Sequence, residues 1–141
     1  MNKNGPILVI EDDLDDQQFL KDVFIKLNYG NEIIFFNDGD DALTFLDNSP
    51  NLKPFLILSD INMPKLNGFA LRDKVHNNEQ LRLRCIPYLF FTTTNDQKAV
   101  IDAYSKSIQG FFVKPDDPEL LEQTIKAIMD YWRLCTSPNY I

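Results

Sequence analysis

A chain of 141 residues with 44% hydrophobic and 25% charged side chains has the balance of an ordinary globule. That length suits a single domain, one that buries about two thirds of its unfolded surface. The net charge of −7 and the lack of a Lys/Arg run argue against nucleic acid as the main partner, because affinity for a phosphate backbone comes largely from clustered cations. No apolar stretch approaches the roughly 20 residues that span a bilayer, and "MNKNGPILVIEDD" turns acidic too early for a signal peptide. Membrane insertion is therefore not expected. Cys85 and Cys135 form no CxxC pair and read as the reduced thiols of a cytoplasmic protein.

In chain order, "PILVIED" (6–12) is a β-branched apolar run that ends in acids, the pattern of a buried strand. Asp13 is placed to cap a helix in which Leu20, Val23, Phe24 and Leu27 recur at i, i+3, i+4 and i+7. Tyr29-Gly30-Asn31 stops that helix, and "EIIFF" (32–36) is the second strand. Asp38-Gly39 turns into a helix carrying Ala42, Leu43, Phe45 and Leu46. Pro50 and Pro54 bracket a loop before the third strand, "FLILSD" (55–60). A short helix follows Gly68 through about Val75, and then the polar "HNNEQLRLR" (76–84) is longer than a typical connection.

The second half repeats the alternation. "IPYLFFTT" (86–93) is the fourth strand, 95–107 a helix with Val100, Ile101 and Tyr104 inward, and "QGFFVK" (109–114) the fifth strand. Asp117-Pro118 pairs a cap with proline at the first helical position, and Leu121, Ile125, Ile128 and Trp132 continue that helix. Five strands alternating with five helices predict an α/β fold, a doubly wound parallel sheet covered on both faces. The expectation is one domain over 1–141, with its core at about 6–133 and a short C-terminal tail at 134–141. In such sheets ligands bind beyond the carboxyl ends of the strands.

Those ends carry unusual residues. The first strand delivers Glu11-Asp12, the third Asp60, the fourth Thr92-Thr93 and the fifth Lys114-Pro115, whereas Phe36-Asn37 after the second has no assigned role. Each has an ordinary explanation: acids cap helices, Thr favours strands, and a Lys before Pro is usually a solvated charge. Their coincidence on one edge is what carries weight. Three carboxylates a few ångströms apart repel, so such a cluster persists through protonation or a cation. Oxygen ligands with room for waters and a phosphate suit Mg²⁺ better than Ca²⁺, and no His or Cys stands at zinc-ligand spacing. A lysine ammonium and a threonine hydroxyl opposite the metal suit the remaining oxygens of a phosphoryl group. Asp60 between them suits a nucleophile that carries an aspartyl phosphate.

These residues resemble a known pattern. From about Ile7 to Trp132 the chain looks like the receiver domains of two-component response regulators, whose flavodoxin-like sheet has the strand order 2-1-3-4-5. Through that resemblance "VIEDD" supplies the metal-binding acids Glu11 and Asp12. "SDINMP" supplies the phospho-acceptor Asp60 and Asn62, whose backbone carbonyl is a further metal ligand. "FFTT" supplies the switch hydroxyl Thr92, and "FFVKP" the switch aromatic Phe111 and the lysine Lys114. Thr93, Thr94 and Pro115 are neighbours that tune the site, with Asn62 and Thr94 governing water access. The pattern departs in two places: Glu11 replaces the commoner Asp, and Phe111 the frequent Tyr. The "HNNEQLRLRCIPY" connection and the "DYWRL" helix end also resemble stand-alone receivers serving phytochrome-type and other hybrid histidine kinases.

The resemblance implies a stand-alone regulator, not an enzyme beyond its own phosphorylation and dephosphorylation. Its phosphoryl donor is a histidine kinase or phosphotransfer protein, and its output a downstream protein or a homodimer. The expected output face is the fourth helix, fifth strand and fifth helix, with Ala99, Ala103, Lys106 and Gln109 on or beside it. The lone histidine, His76, reads as a surface residue, so the donor histidine belongs to another protein. Arg82 and Arg84 are expected to solubilise their loop, and the acids of "FFNDGDDAL" to serve a turn and a helix first turn. A haloacid-dehalogenase-like phosphatase would want a second Asp where Asn62 stands, and a flavodoxin a hydroxyl- and glycine-rich loop in place of "EDDLDD". A degenerate scaffold receiver would have lost functional positions, and none is lost.

Overall fold

The apolar runs become five parallel strands in a computed structural model that describes residues 1–138. They are β1 (Ile7–Ile10), β2 (Ile33–Phe36), β3 (Leu56–Ser59), β4 (Tyr88–Thr92) and β5 (Gly110–Val113). The sheet order is β2-β1-β3-β4-β5, the flavodoxin-like arrangement expected from the sequence. β1 and β3 run in register from Ile7 opposite Leu56 to Ile10 opposite Ser59, so their carboxyl ends finish level.

Buried on both faces, the central strands β1, β3 and β4 need continuous apolar sequence, whereas the edge strand β2 is only half-buried. Alternation along each strand separates two cores. Leu8, Ile10, Ile57, Tyr88 and Phe90 face one way. Ile7, Val9, Leu56, Leu58, Leu89 and Phe91 face the other, against Leu20 and Phe24 of α1 (Leu14–Leu27) and Ile125, Ile128 and Met129 of α6 (Pro118–Leu134). The first core is covered by α2 (Gly39–Asp47), α3 (Gly68–Asn77), α4 (Glu79–Arg82) and α5 (Gln97–Ser105). Each of the six helices is capped at its N-terminus by an Asp or Asn: Asp13, Asp38, Asn67, Asn78, Asp96 and Asp117.

The structure corrects four expectations. The polar connection 76–84 is not a plain loop. His76 and Asn77 form the end of α3, Asn78 Oδ1 accepts from Leu81 N at 3.1 Å to start the short α4, and Leu81 is buried beneath it. Among the described residues there are thus six helices where five were expected. Arg84 does not solubilise that segment: it is 7% exposed, and its guanidinium donates to Leu46 O at 3.1 Å. Helix α5 is rotated from the expected setting, with Ile101 65% and Tyr104 54% exposed. Ala99 and Ala103 point inward instead, Ala103 fully buried, and so neither lies on an output surface. Small side chains at i and i+4 let the helix lie close to the sheet, and close packing decides which stripe faces in. Of the expected tail, Leu134 closes α6, and 139–141 lie outside the described residues.

Candidate functional site

The carboxyl edge gathers its residues through the strands themselves. Asp60 follows β3 directly, and its amide donates to Ile10 O at 3.0 Å, extending the β1–β3 ladder by one rung. Glu11 follows β1 in the same way, its amide donating to Phe36 O at 2.9 Å. Lys114 follows β5, with its amide on Thr92 O at 2.8 Å. Three side chains, those of Glu11, Asp60 and Lys114, are therefore fixed by ladder hydrogen bonds rather than by loops. Gly68 closes the base of the site, where a Cβ would come within 2.2 Å of Asp60 O and hold α3 away.

The carboxylates of Glu11, Asp12 and Asp60 offer oxygens that all lie within 4.8 Å of one another. Glu11 and Asp60 are buried and Asp12 is exposed. Each buried acid divides its two oxygens. Asp60 Oδ1 accepts from Ile61 N at 2.7 Å, and Oδ2 accepts from Lys114 Nζ at 3.0 Å. Glu11 Oε1 accepts from Asp13 N at 2.9 Å, and Oε2 takes a short bond from the same ammonium. One cation thus serves a crowd of acids.

The electrostatic consequences follow. Burial pushes the Glu11 carboxyl up from 4.5 to about 7, against the pull of Lys114 and of the Asp13 amide. Burial works against the Lys114 charge, but its bonds to Glu11 and Asp16 and the nearby Asp60 outweigh that and hold the ammonium above its ordinary value. Two buried carboxylates, an exposed third and a shared ammonium form an oxygen-only donor set with excess negative charge, which fits a hard divalent cation.

The remaining expected residues surround this cluster. Thr92 is fully buried at the end of β4, and its Oγ1 accepts from Thr94 N at 3.2 Å. Asn62 Nδ2 donates to Thr94 Oγ1 at 2.9 Å, joining the loops after β3 and β4. Phe111 is half-buried on β5, its ring edge-on to Phe90 with centroids 6.2 Å apart. Thr93 is exposed and Pro115 half-buried beside Lys114. His76 lines a cleft at the opposite, amino edge of the sheet, together with Arg72, Pro87 and Trp132.

Sequence reasoning missed one member. Asp16, in the first turn of α1, accepts from Lys114 Nζ at 2.9 Å. The available signal was its place four residues after Asp12, one helical turn on, but the run "EDDLDD" offers several acids with nothing to separate them.

This fold and acid cluster define the class. The chain matches the response regulator receiver domain over residues 7–126, and it belongs to that family, the signal-receiving module of two-component systems. Among its relatives is Response regulator Rcp1 of Synechocystis sp., 29% identical over 132 residues, which span 89% of this chain and 87% of that protein. Chemotaxis protein CheY1 of Helicobacter pylori is 27% identical over 87% of this chain and 95% of its own length. The crystal structure of the Mn(2+)-bound form of Rcp1 superposes with a TM-score of 0.82 at 27% identity, covering 96% of this chain and 99% of that one. The phosphorylated cyanobacterial phytochrome response regulator RcpA shares the fold with a TM-score of 0.86 at 22% identity, over 96% of this chain and 99% of its own.

Proposed function

We propose that this receiver domain accepts a phosphoryl group on Asp60 from the phosphohistidine of a histidine kinase or phosphotransfer protein, and signals through protein–protein contacts. The observation that carries the reading is the convergence of the Glu11, Asp12 and Asp60 carboxylates within 4.8 Å, with Lys114 Nζ 3.0 Å from Asp60. An Asp60 oxygen attacks phosphorus, a P–O bond forms as the P–N bond breaks, and the electron pair returns to the donor's imidazole. Glu11, Asp12, Asp60 and the backbone carbonyl of Asn62 are the residues to hold Mg²⁺, which when bound neutralises charge on the phosphoryl oxygens. The Mn(2+)-bound form of the related Rcp1 supports divalent-ion binding by this chain.

This chain's own groups do the rest. The Lys114 ammonium, already above Asp60, faces the added charge, and the Thr92 hydroxyl turns toward the phosphoryl oxygens. Phe111, packed on Phe90, carries that change outward along β5. Thr93, Thr94 and Pro115 shape the rim, and the Asn62–Thr94 bond governs water access and so the life of the phosphoryl group. The donor's approach is α1, where exposed Phe19 borders a groove with Asp16, Asp22, Asp116 and Asp117. That rim suits a helix carrying basic residues around its histidine. The output surface is α5, β5 and α6, now presenting Ile101, Tyr104 and Val113 to a downstream protein or a second copy. Relatives covered over 87% and 95% of their lengths support one receiver unit acting as a stand-alone regulator; we place it in the cytoplasm, with no catalysis beyond its own phosphorylation and dephosphorylation.

The test is incubation with acetyl phosphate and Mg²⁺. An acid-stable, base-labile mass gain is expected in the wild type and none in Asp60→Asn, which keeps the shape of the site. Wild-type labelling of Asp60→Asn would place the acceptor elsewhere.

A further inference from the structure

We infer that Asp16 is a positioning residue for Lys114, holding the ammonium over the acceptor carboxylate from outside the metal cluster; this rests on Asp60 being the phosphorylation site. An ammonium has three N–H donors, and those of Lys114 are taken by three carboxylates: Asp60 at 3.0 Å, Asp16 at 2.9 Å, and Glu11. Two of these partners belong to the acid cluster whose oxygens lie within 4.8 Å, and Asp16 does not. Any cation or phosphoryl group arriving at Glu11 and Asp60 competes for those two oxygens. Asp16 is the one partner of Lys114 that the reaction leaves alone.

The helix start fixes Asp16 for that task. Asp13 caps α1, and its Oδ1 accepts from Asp16 N at 3.0 Å, anchoring the Asp16 backbone in the first turn. From there the side chain spans from α1 to the end of β5, a tether between residues 98 apart in sequence. The Lys114 side chain is 10% exposed and that of Asp16 34%, so the bond is shielded at the lysine and reachable by solvent at the acid. A charge-assisted bond of this kind restricts a long, otherwise mobile stem, and the reaction then needs no reorganisation to place the cation. Asp15, its exposed neighbour in the same turn, has no such bond to Lys114 among the described residues.

Charge alone predicts the opposite outcome. Removing an acid beside an incoming phosphate should speed its approach, whereas loss of positioning should slow the transfer. Asp16→Ala is therefore expected to lower the acetyl phosphate labelling rate about tenfold. Asp16→Asn, whose amide oxygen still accepts from Nζ, should stay within about threefold of wild type, and Asp15→Ala should match wild type. The second readout needs no phosphorylation: the Lys114 ammonium NMR signal, protected in the wild type, should broaden through solvent exchange in Asp16→Ala and persist in Asp16→Asn. If Asp16→Ala labels at the wild-type rate or faster, or its Lys114 signal is unchanged, the positioning role is overturned. Failure of the wild type to label at Asp60 would remove the functional reading instead, and the ammonium signal would still decide whether Asp16 holds Lys114.

Discussion

At the carboxyl edge of the sheet the buried charges of Glu11, Asp60 and Lys114 answer one another, whereas at the amino edge Arg72 and Arg84 are held by backbone carbonyls. The fold explains the division of signs. Helices that return antiparallel to the strands set their N–H ends at the carboxyl edge and their C=O ends at the amino edge. Arg84 accordingly donates to Leu46 O in the last turn of α2, and Arg72 to Lys106 O at 3.0 Å and Ser107 O at 2.6 Å after α5. Those cations serve the carbonyls at helix ends, and Arg72 also lies over the Tyr88 ring. At the other edge the capping is done by Asp13, Asp38, Asn67, Asp96 and Asp117, so Glu11, Asp12 and Asp60 are acids beyond what the helices need. Volume points the other way, since a cleft of about 620 Å³ lies at the amino edge. Surplus buried charge is the better guide to chemistry.

The comparison breaks most sharply if the surplus acids prove dispensable. Asp12→Ala removes the exposed member of the cluster and leaves the buried pair with Lys114. Mg²⁺ binding, followed by NMR shifts or by melting temperature, should weaken at least about tenfold, and acetyl phosphate labelling should fall with it. Specific zinc binding at the cluster would contradict the oxygen-donor argument.

The amino edge offers the opposite expectation. Arg72→Met keeps an apolar side chain of similar reach, but it removes the guanidinium 5.3 Å from the Tyr88 ring centroid and strands the two carbonyls that group serves. Urea unfolding should show a loss of about 2 kcal/mol, while Mg²⁺-dependent labelling of the folded protein stays within about twofold. Labelling that collapsed with Arg72 would mean that the two edges are coupled through α3.

What could be read from the sequence divides along a similar line. Glu11, Asp12, Asp60, Thr92 and Lys114 stand at strand ends, and a parallel sheet brings strand ends together whatever the details, so order along the chain was enough to group them. Phe111 and Asn62 came only with the family pattern. Asp16 needed the orientation of α1 against β5, and Arg84 needed the position of α2's last carbonyl, neither of which local pattern contains. The setting of α5 was misread because Ile101 and Tyr104 are the larger apolar side chains, whereas contact with the sheet selected the small Ala99 and Ala103. That reversal leaves Ile101 and Tyr104 exposed on α5.

The cost of the surplus can be tested directly. Burial lifts the Glu11 carboxyl from 4.5 to about 7 in the metal-free protein. Between those values the folded protein binds more protons at Glu11 than the unfolded chain does. The Glu11 contribution to stability is then greatest below pH 4.5, falls as the pH rises, and levels off above about 7. The sign is opposite to that of a salt-bridged carboxylate with a depressed value, whose stabilisation is lost on acidification. Other groups titrate in this range, so the quantity to follow is the difference between wild type and Glu11→Gln, in which their contributions cancel. Urea midpoints should converge or cross as the pH rises, with the wild type losing about 1–3 kcal/mol relative to the variant. Mg²⁺ at neutral pH should return stability to the wild type by binding only the folded state, and should return less to Glu11→Gln. A flat difference across the window would mean that Lys114 already compensates the buried Glu11 charge in full, and that the acids at this edge are no more surplus than the arginines at the other.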